Sequence, residues 1–188
     1  VLDKLNRVRL SFEKNNFLRY SSDIENNVPV GYSVCKLEDI ANISGGSTPL
    51  RNNPNFWSGM IPWLTPTDVT NCKTIELSKT KEYITEEGLK SISNNIYPAG
   101  SVLYCSRATI GYAVINEVPM ATNQGFSNFI CSDKITNYYL YFLLRFLTPD
   151  LIRLAGGSTF LEISKSAMRS FKIVLPSKEK MKKIETVL

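Results

Sequence analysis

No histidine occurs among the 188 residues, and that absence removes several chemistries at once. A serine or cysteine nucleophile has no imidazole base to activate it. A zinc site would have to recruit Cys35, Cys72, Cys105 and Cys131 from distant segments, because no Cys-x-x-Cys pair is present. The cysteines are therefore expected to be reduced thiols, with Cys105 and Cys131, each closing an apolar run, acting as small core residues. Long apolar runs are missing too: Tyr138 to Leu144 is stopped by Arg145, short of the roughly 20 residues a membrane span needs. No basic and apolar leader opens the chain at Val1, so a cytoplasmic address is the default expectation. Lys+Arg 22 against Asp+Glu 17 gives a net charge of +5, which suits a polyanionic partner without demanding one.

What is present is a dense middle section of short strands, turns and uncharged hydrogen-bonding side chains. Tyr32 to Leu37, Ile61 to Thr65, Val102 to Cys105, Tyr112 to Ile115, Phe126 to Cys131 and Phe171 to Leu175 have the β-branched and aromatic character of strands. Between them lie Arg107-Ala108-Thr109-Ile110-Gly111 and Ala121-Thr122-Asn123-Gln124-Gly125-Phe126, where arginine, asparagine, glutamine and threonine have donors and acceptors that match phosphates and base edges. Gly45-Gly46-Ser47-Thr48 is echoed by Gly156-Gly157-Ser158-Thr159. Exposed amides of such turns can cradle an anion, although the tetrapeptide alone favours ordinary loop chemistry.

Helices interrupt the strands. Thr85 followed by Glu86 and Glu87 starts one carrying Leu89 and Ile92. Asn137 to Phe146 predicts a second, apolar on most faces and so better read as core than as a base-stacking platform. Thr148-Pro149 predicts a cap and first residue of a third. At the ends, Leu2, Leu5, Val8 and Phe12, and again Met181, Ile184 and Leu188, recur at helical spacing. Ser177 is placed to cap the last helix, with Lys178, Lys180, Lys182 and Lys183 as its solvated face. Helices this short are marginal alone, and the nearest candidate partner for each is the other end of the chain. The class expected is α+β, with a curved, irregular, strand-rich sheet flanked by terminal amphipathic helices.

Lys36-Leu37-Glu38-Asp39-Ile40, Gly46-Ser47-Thr48-Pro49, Ile61-Pro62-Trp63, Ile84 to Leu89, Pro98 to Leu103, Arg107 to Gly111, Ala121 to Phe126, Gly157 to Ser164 and Leu175-Pro176, in this order, resemble the target recognition domain of a type I restriction-modification specificity subunit. The resemblance implies a non-catalytic protein that reads one half of a split double-stranded DNA target and directs methyltransferase and restriction subunits to it. Those partners would bind S-adenosylmethionine and ATP, so no cofactor is expected here. It also implies a division into residues 1–27, the tail of a spacer helix and linker; 28–176, the recognition domain; and 177–188, the start of the next spacer helix. A specificity subunit carries two recognition domains and this chain has room for one, so the resemblance implies a fragment, a chain whose remaining helix is missing, or a half-subunit that self-associates through its terminal helices.

Segments shared among proteins that read different sequences suit scaffold and phosphate contact, which assigns Ser47, Thr48, Arg107, Thr109, Asn123, Gln124, Ser158 and Thr159 to that group. Lys165 and Arg169, with Lys172, are candidate phosphate ligands. Base readout is expected in the polar loops outside the shared segments: Arg51, Asn52 and Asn53, the stretch with Thr65 and Thr67, and Lys73. Two other classes compete with this reading. Asn52-Asn53-Pro54-Asn55-Phe56 approaches an adenine-methyltransferase signature but lacks its second proline, and no Gly-x-Gly loop follows a strand. A protein-interaction module with an incidental basic surface predicts no affinity for duplex DNA.

Overall fold

The computed structural model describes residues 16–92, 95–156 and 161–186. The stripe Leu2 to Phe12 and the candidates Ser158 and Thr159 lie outside that range. Among the described residues the chain is α+β, with strands in three sheets. The short α1 (Ser22–Asn26), capped by Ser21, leads into β1 (Tyr32–Lys36), which pairs antiparallel with β10 (Lys172–Pro176). Ser177 N then donates to Gly31 O at 2.8 Å, so the chain enters and leaves this two-stranded sheet side by side.

The central sheet has the order β2 (Ala41–Gly45), β9 (Phe126–Cys131), β6 (Val102–Cys105), β7 (Ala113–Asn116) and β4 (Glu76–Leu77). Strand periodicity sorts β6 between two cores: Val102 and Tyr104 join Phe129, Ile115 and the long helix, whereas Leu103 and Cys105 face Leu64, Tyr97, Met120 and Phe126. Both faces are covered, which is why this strand reads as an unbroken apolar run. A third sheet, β5 (Glu82–Ile84), β3 (Trp57–Leu64) and β8 (Ala121–Thr122), carries its own cluster of Ile61, Trp63, Ile84 and Leu89. Within it α3 (Glu86–Ser91) begins at Thr85, whose hydroxyl accepts from Gly88 N. Strands β2, β4, β5 and β8 were not foreseen, being two to five residues long and partly polar.

The expected break at Thr148-Pro149 does not occur. One helix, α4 (Asn137–Arg153), runs through Pro149. A proline in a helix interior costs about 3 kcal/mol, but Leu147 and Leu151 are both buried, and burial of two such side chains contributes roughly 1.5–3 kcal/mol each. Nearby carbonyls also find other donors: Thr148 Oγ1 gives to Leu144 O at 2.9 Å and Arg19 Nη2 to Phe146 O at 3.1 Å.

Each described chain end docks on α4. Phe17 packs 5.2 Å from Tyr139 and 5.5 Å from Phe146 between ring centroids. Met181 and Ile184 of α6 (Lys178–Glu185) are buried in the same core, and Ser177 Oγ accepts from Lys180 N as its cap. Lys180 departs from the expected solvated face by lying 4.0 Å from the Tyr32 ring centroid. All four cysteines are free. Burial raises the thiol pKa of Cys105 to about 12 and those of Cys35 and Cys131 to about 11, which keeps them protonated and poorly nucleophilic.

Candidate nucleic-acid interface

The register of the central sheet decides which loops meet. Gly45 of β2 pairs with Ser127, Cys105 of β6 with Phe126, Tyr104 with Ala113 of β7, and Glu76 of β4 with Ile115. The end of β2, the start of β9, the end of β6, and the starts of β7 and β4 therefore share one end of the sheet. The third sheet delivers its loops there as well, because Leu64 pairs with Thr122 and its carbonyl accepts from Asn123 N at 3.0 Å. This rim collects Ser47, Thr48, Thr65, Thr67, Lys73, Arg107, Thr109, Asn123 and Gln124, residues that are far apart in the sequence.

Close packing holds the rim. Ser47 N donates to Thr122 O at 2.9 Å, and Thr48 Oγ1 to Gln124 Oε1 at 2.5 Å. The Gly45-Gly46 turn is thus a packed strand end with one amide already committed, rather than an open anion nest. Asn123 Oδ1 accepts from Gly125 N at 2.8 Å, so this side chain shapes the turn. Below lies a buried polar layer in which Asn128 Nδ2 donates to Thr122 Oγ1 at 2.8 Å and Ser106 N to Gly125 O at 2.8 Å. At the β6–β7 turn Ala108 adopts φ 61°, a left-handed conformation that a non-glycine residue keeps at a cost of order 1–3 kcal/mol.

The cations come from α5 (Lys165–Ser170), whose start is fixed when Ile163 N donates to Ser106 O at 2.9 Å. Lys165 Nζ reaches Ser106 Oγ at 3.2 Å, and burial holds this ammonium below the ordinary lysine pKa, opposed by the charge of Glu162 and reinforced by Arg169. Arg169 chelates Ile43 O through Nε at 3.1 Å and Nη2 at 2.7 Å. The hydrogen-bond partners of both cations are thus neutral, and Glu162 is the carboxylate whose charge acts on Lys165. Arg107 differs, lying 3.8 Å from a Glu162 carboxylate oxygen.

Other expected ligands have intramolecular partners. The Arg51 guanidinium lies 4.0 Å from the Trp57 ring centroid and 4.8 Å from that of Trp63, and it pairs with both Glu82 carboxylate oxygens. Asn53 caps the turn Pro54–Phe56 by accepting from Asn55 N. Thr65 and Asp68 form a reciprocal capping box on α2 (Pro66–Asn71). Thr65→Ala should therefore lower stability by about 1 kcal/mol, measured by urea denaturation; an unchanged midpoint would contradict the capping role. Thr109 Oγ1 is enclosed by protein and points away from solvent. Asn52, Thr67 and Lys73 are exposed. Ser106 and Thr122, which organise the rim, were missed as site residues because a small hydroxyl beside an apolar run carries no distinguishing pattern. Among the described residues no group of three or more Cys, Asp or Glu is placed to hold a metal, and no helix is long and apolar enough to cross a membrane.

Residues 29–188 match the family model described as Type I restriction modification DNA specificity domain. Over 163 residues the chain is 42% identical to the Type I restriction enzyme MjaIX specificity subunit of Methanocaldococcus jannaschii, covering 86% of this chain and 38% of that protein. Over 159 residues it is 30% identical to the Escherichia coli Type I restriction enzyme EcoR124I/EcoR124II specificity subunit, covering 81% and 39%. The fold is shared with the crystal structure of the HsdS subunit from Thermoanaerobacter tengcongensis, at a TM-score of 0.69 and 16% identity over 99% of this chain and 45% of that one. The chain spans less than half the length of each of these relatives. By its sequence match over residues 29–188 and its agreement with these relatives, the chain belongs to the type I restriction modification DNA specificity domain family.

Proposed function

We propose that this chain is a non-catalytic DNA-recognition domain, that its rim contacts a DNA duplex, and that it reads one half of a bipartite target on behalf of methyltransferase and restriction subunits. The observation that carries this reading is the meeting, at one end of the central sheet, of hydroxyl and amide side chains with Lys165 and Arg169, whose bonded partners are neutral. Lys165 and Arg169 bind phosphate, fixing register without reading sequence. The exposed Asn52 and Thr67 are the side chains left to contact base edges, while Thr48 and Gln124, bonded to each other, shape the rim between them. Arg107, whose Nε lies 3.8 Å from a Glu162 carboxylate oxygen, supports the loop and offers its remaining guanidinium donors to phosphate.

The segments flanking β1 and β10 meet through the bond from Ser177 N to Gly31 O, which suits a domain carried between spacer helices, with residues 28–176 as the recognition unit. S-adenosylmethionine and ATP chemistry then belongs to the partner subunits. Lys165→Ala tests the phosphate assignment. Affinity for random duplexes should fall evenly across sequences, and the slope of log K against log salt should lose about 0.9 in magnitude. A slope unchanged by the substitution would remove Lys165 from the interface.

A further inference from the structure

At the far edge of the rim, between the end of α2, the start of β7 and the outer face of α4, lies a cleft of about 340 Å³ lined by Lys73, Tyr112, Tyr141, Phe142 and Arg145 among others, with no carboxylate in its lining. Glu76, next to it in the chain, is engaged by the Tyr138 hydroxyl. Arg145 donates to Tyr141 Oη at 2.5 Å and lies 5.4 Å from the same ring's centroid, so its guanidinium is aimed by an aromatic wall and bonded to a neutral oxygen. Tyr112, 52% exposed, stands at the lip and belongs to the same β6–β7 turn as Arg107, pinned by the bond from Cys105 N to Tyr112 O at 2.8 Å.

Resting on the reading above, we infer that this cleft is a second phosphate grip on the same duplex, with Lys73 and Arg145 as its cations and the Tyr112 ring as a wall for deoxyribose. Two observations favour a duplex over an acidic protein segment. The cleft continues the rim through a shared turn, and the spacing suits DNA. From β2 to β4 the sheet crosses four strand intervals of about 4.8 Å, roughly 19 Å, close to six base-pair steps of about 3.4 Å. Arg169 lies at the β2 edge and Lys165 reaches inward to Ser106 beside the end of β6, whereas Lys73 and Arg145 lie towards the β4 edge, which leaves the neutral amides and hydroxyls of the rim between the outermost cations.

The test uses the full 188-residue chain and a duplex recovered from a random pool by selection, probed by phosphate ethylation interference. The wild-type chain should give two clusters of sensitive phosphates about six base pairs apart. Lys73→Gln/Arg145→Gln should erase one cluster only, reduce the salt slope by about 1.8 in magnitude and leave the thermal midpoint unchanged, whereas Lys165→Ala should weaken the other. A single cluster in the wild type, or two clusters that persist in the double variant, would overturn the second grip while leaving the first intact, and persistence would point to an acidic protein partner for the cleft. Failure of the wild-type chain to bind any duplex would overturn the functional reading together with this inference.

Discussion

Trp63→Ala is expected to lower the unfolding free energy by about 3–5 kcal/mol, the range for losing a large aromatic side chain from a core. Trp63 is 1% exposed and fills the cluster of the third sheet. Its ring meets Trp57 edge-on at 5.1 Å and 87°, and its Nε1 donates to Ser47 O at 3.0 Å. One side chain therefore joins the small sheet to the loop that carries Thr48. Trp63→Phe separates the two contributions, since it keeps most of the apolar contact but leaves Ser47 O without that donor, an omission that costs roughly 1–3 kcal/mol. Denaturant unfolding of both variants checks this. A loss under about 1 kcal/mol for Trp63→Ala would mean that the cluster is not the core described.

The second large effect is expected at Gly46. A Cβ there would lie 2.1 Å from Thr122 O and 2.4 Å from Asn123 O, both backbone atoms, so Gly46→Ala has to displace the rim itself. Overpacking of this kind typically costs about 1–3 kcal/mol. Gly45→Ala is the control, because its Cβ would first meet Cε of the flexible Lys165 side chain at 2.8 Å, which can move. Functionally the two halves of the rim should separate. Gly46→Ala disturbs Thr48 and Gln124 while α5 keeps its cations, so base preference in a random-pool selection should relax with little change in salt slope. A variant as stable and as selective as the wild type would contradict the close approach.

The contrast between these glycines marks what the sequence could reveal. The capped helix at Thr85, the terminal cap at Ser177 and the strongest strands were legible because local chemistry and tertiary structure agree there. The run through Pro149 was not, since burial of Leu147 and Leu151 overrides a local breaker. Candidate site residues were legible as residue types, not as roles. Arg51 looks like a free cation in the sequence and is held by Glu82 and two tryptophans in the fold, while Arg145 looks like the end of an apolar helix and faces an acid-free cleft. Such differences depend on which loops share an end of the central sheet, and strand order is not written in any one segment.

The most direct measurement of the central claim is a titration of the full chain with random-sequence duplex at 50 mM and 200 mM salt. Four phosphate contacts, from Lys73, Arg145, Lys165 and Arg169, predict a slope near −3.6 and hence weak binding that falls about 10²-fold between the two conditions. Absence of duplex binding at either concentration, or binding indifferent to salt, would contradict the account.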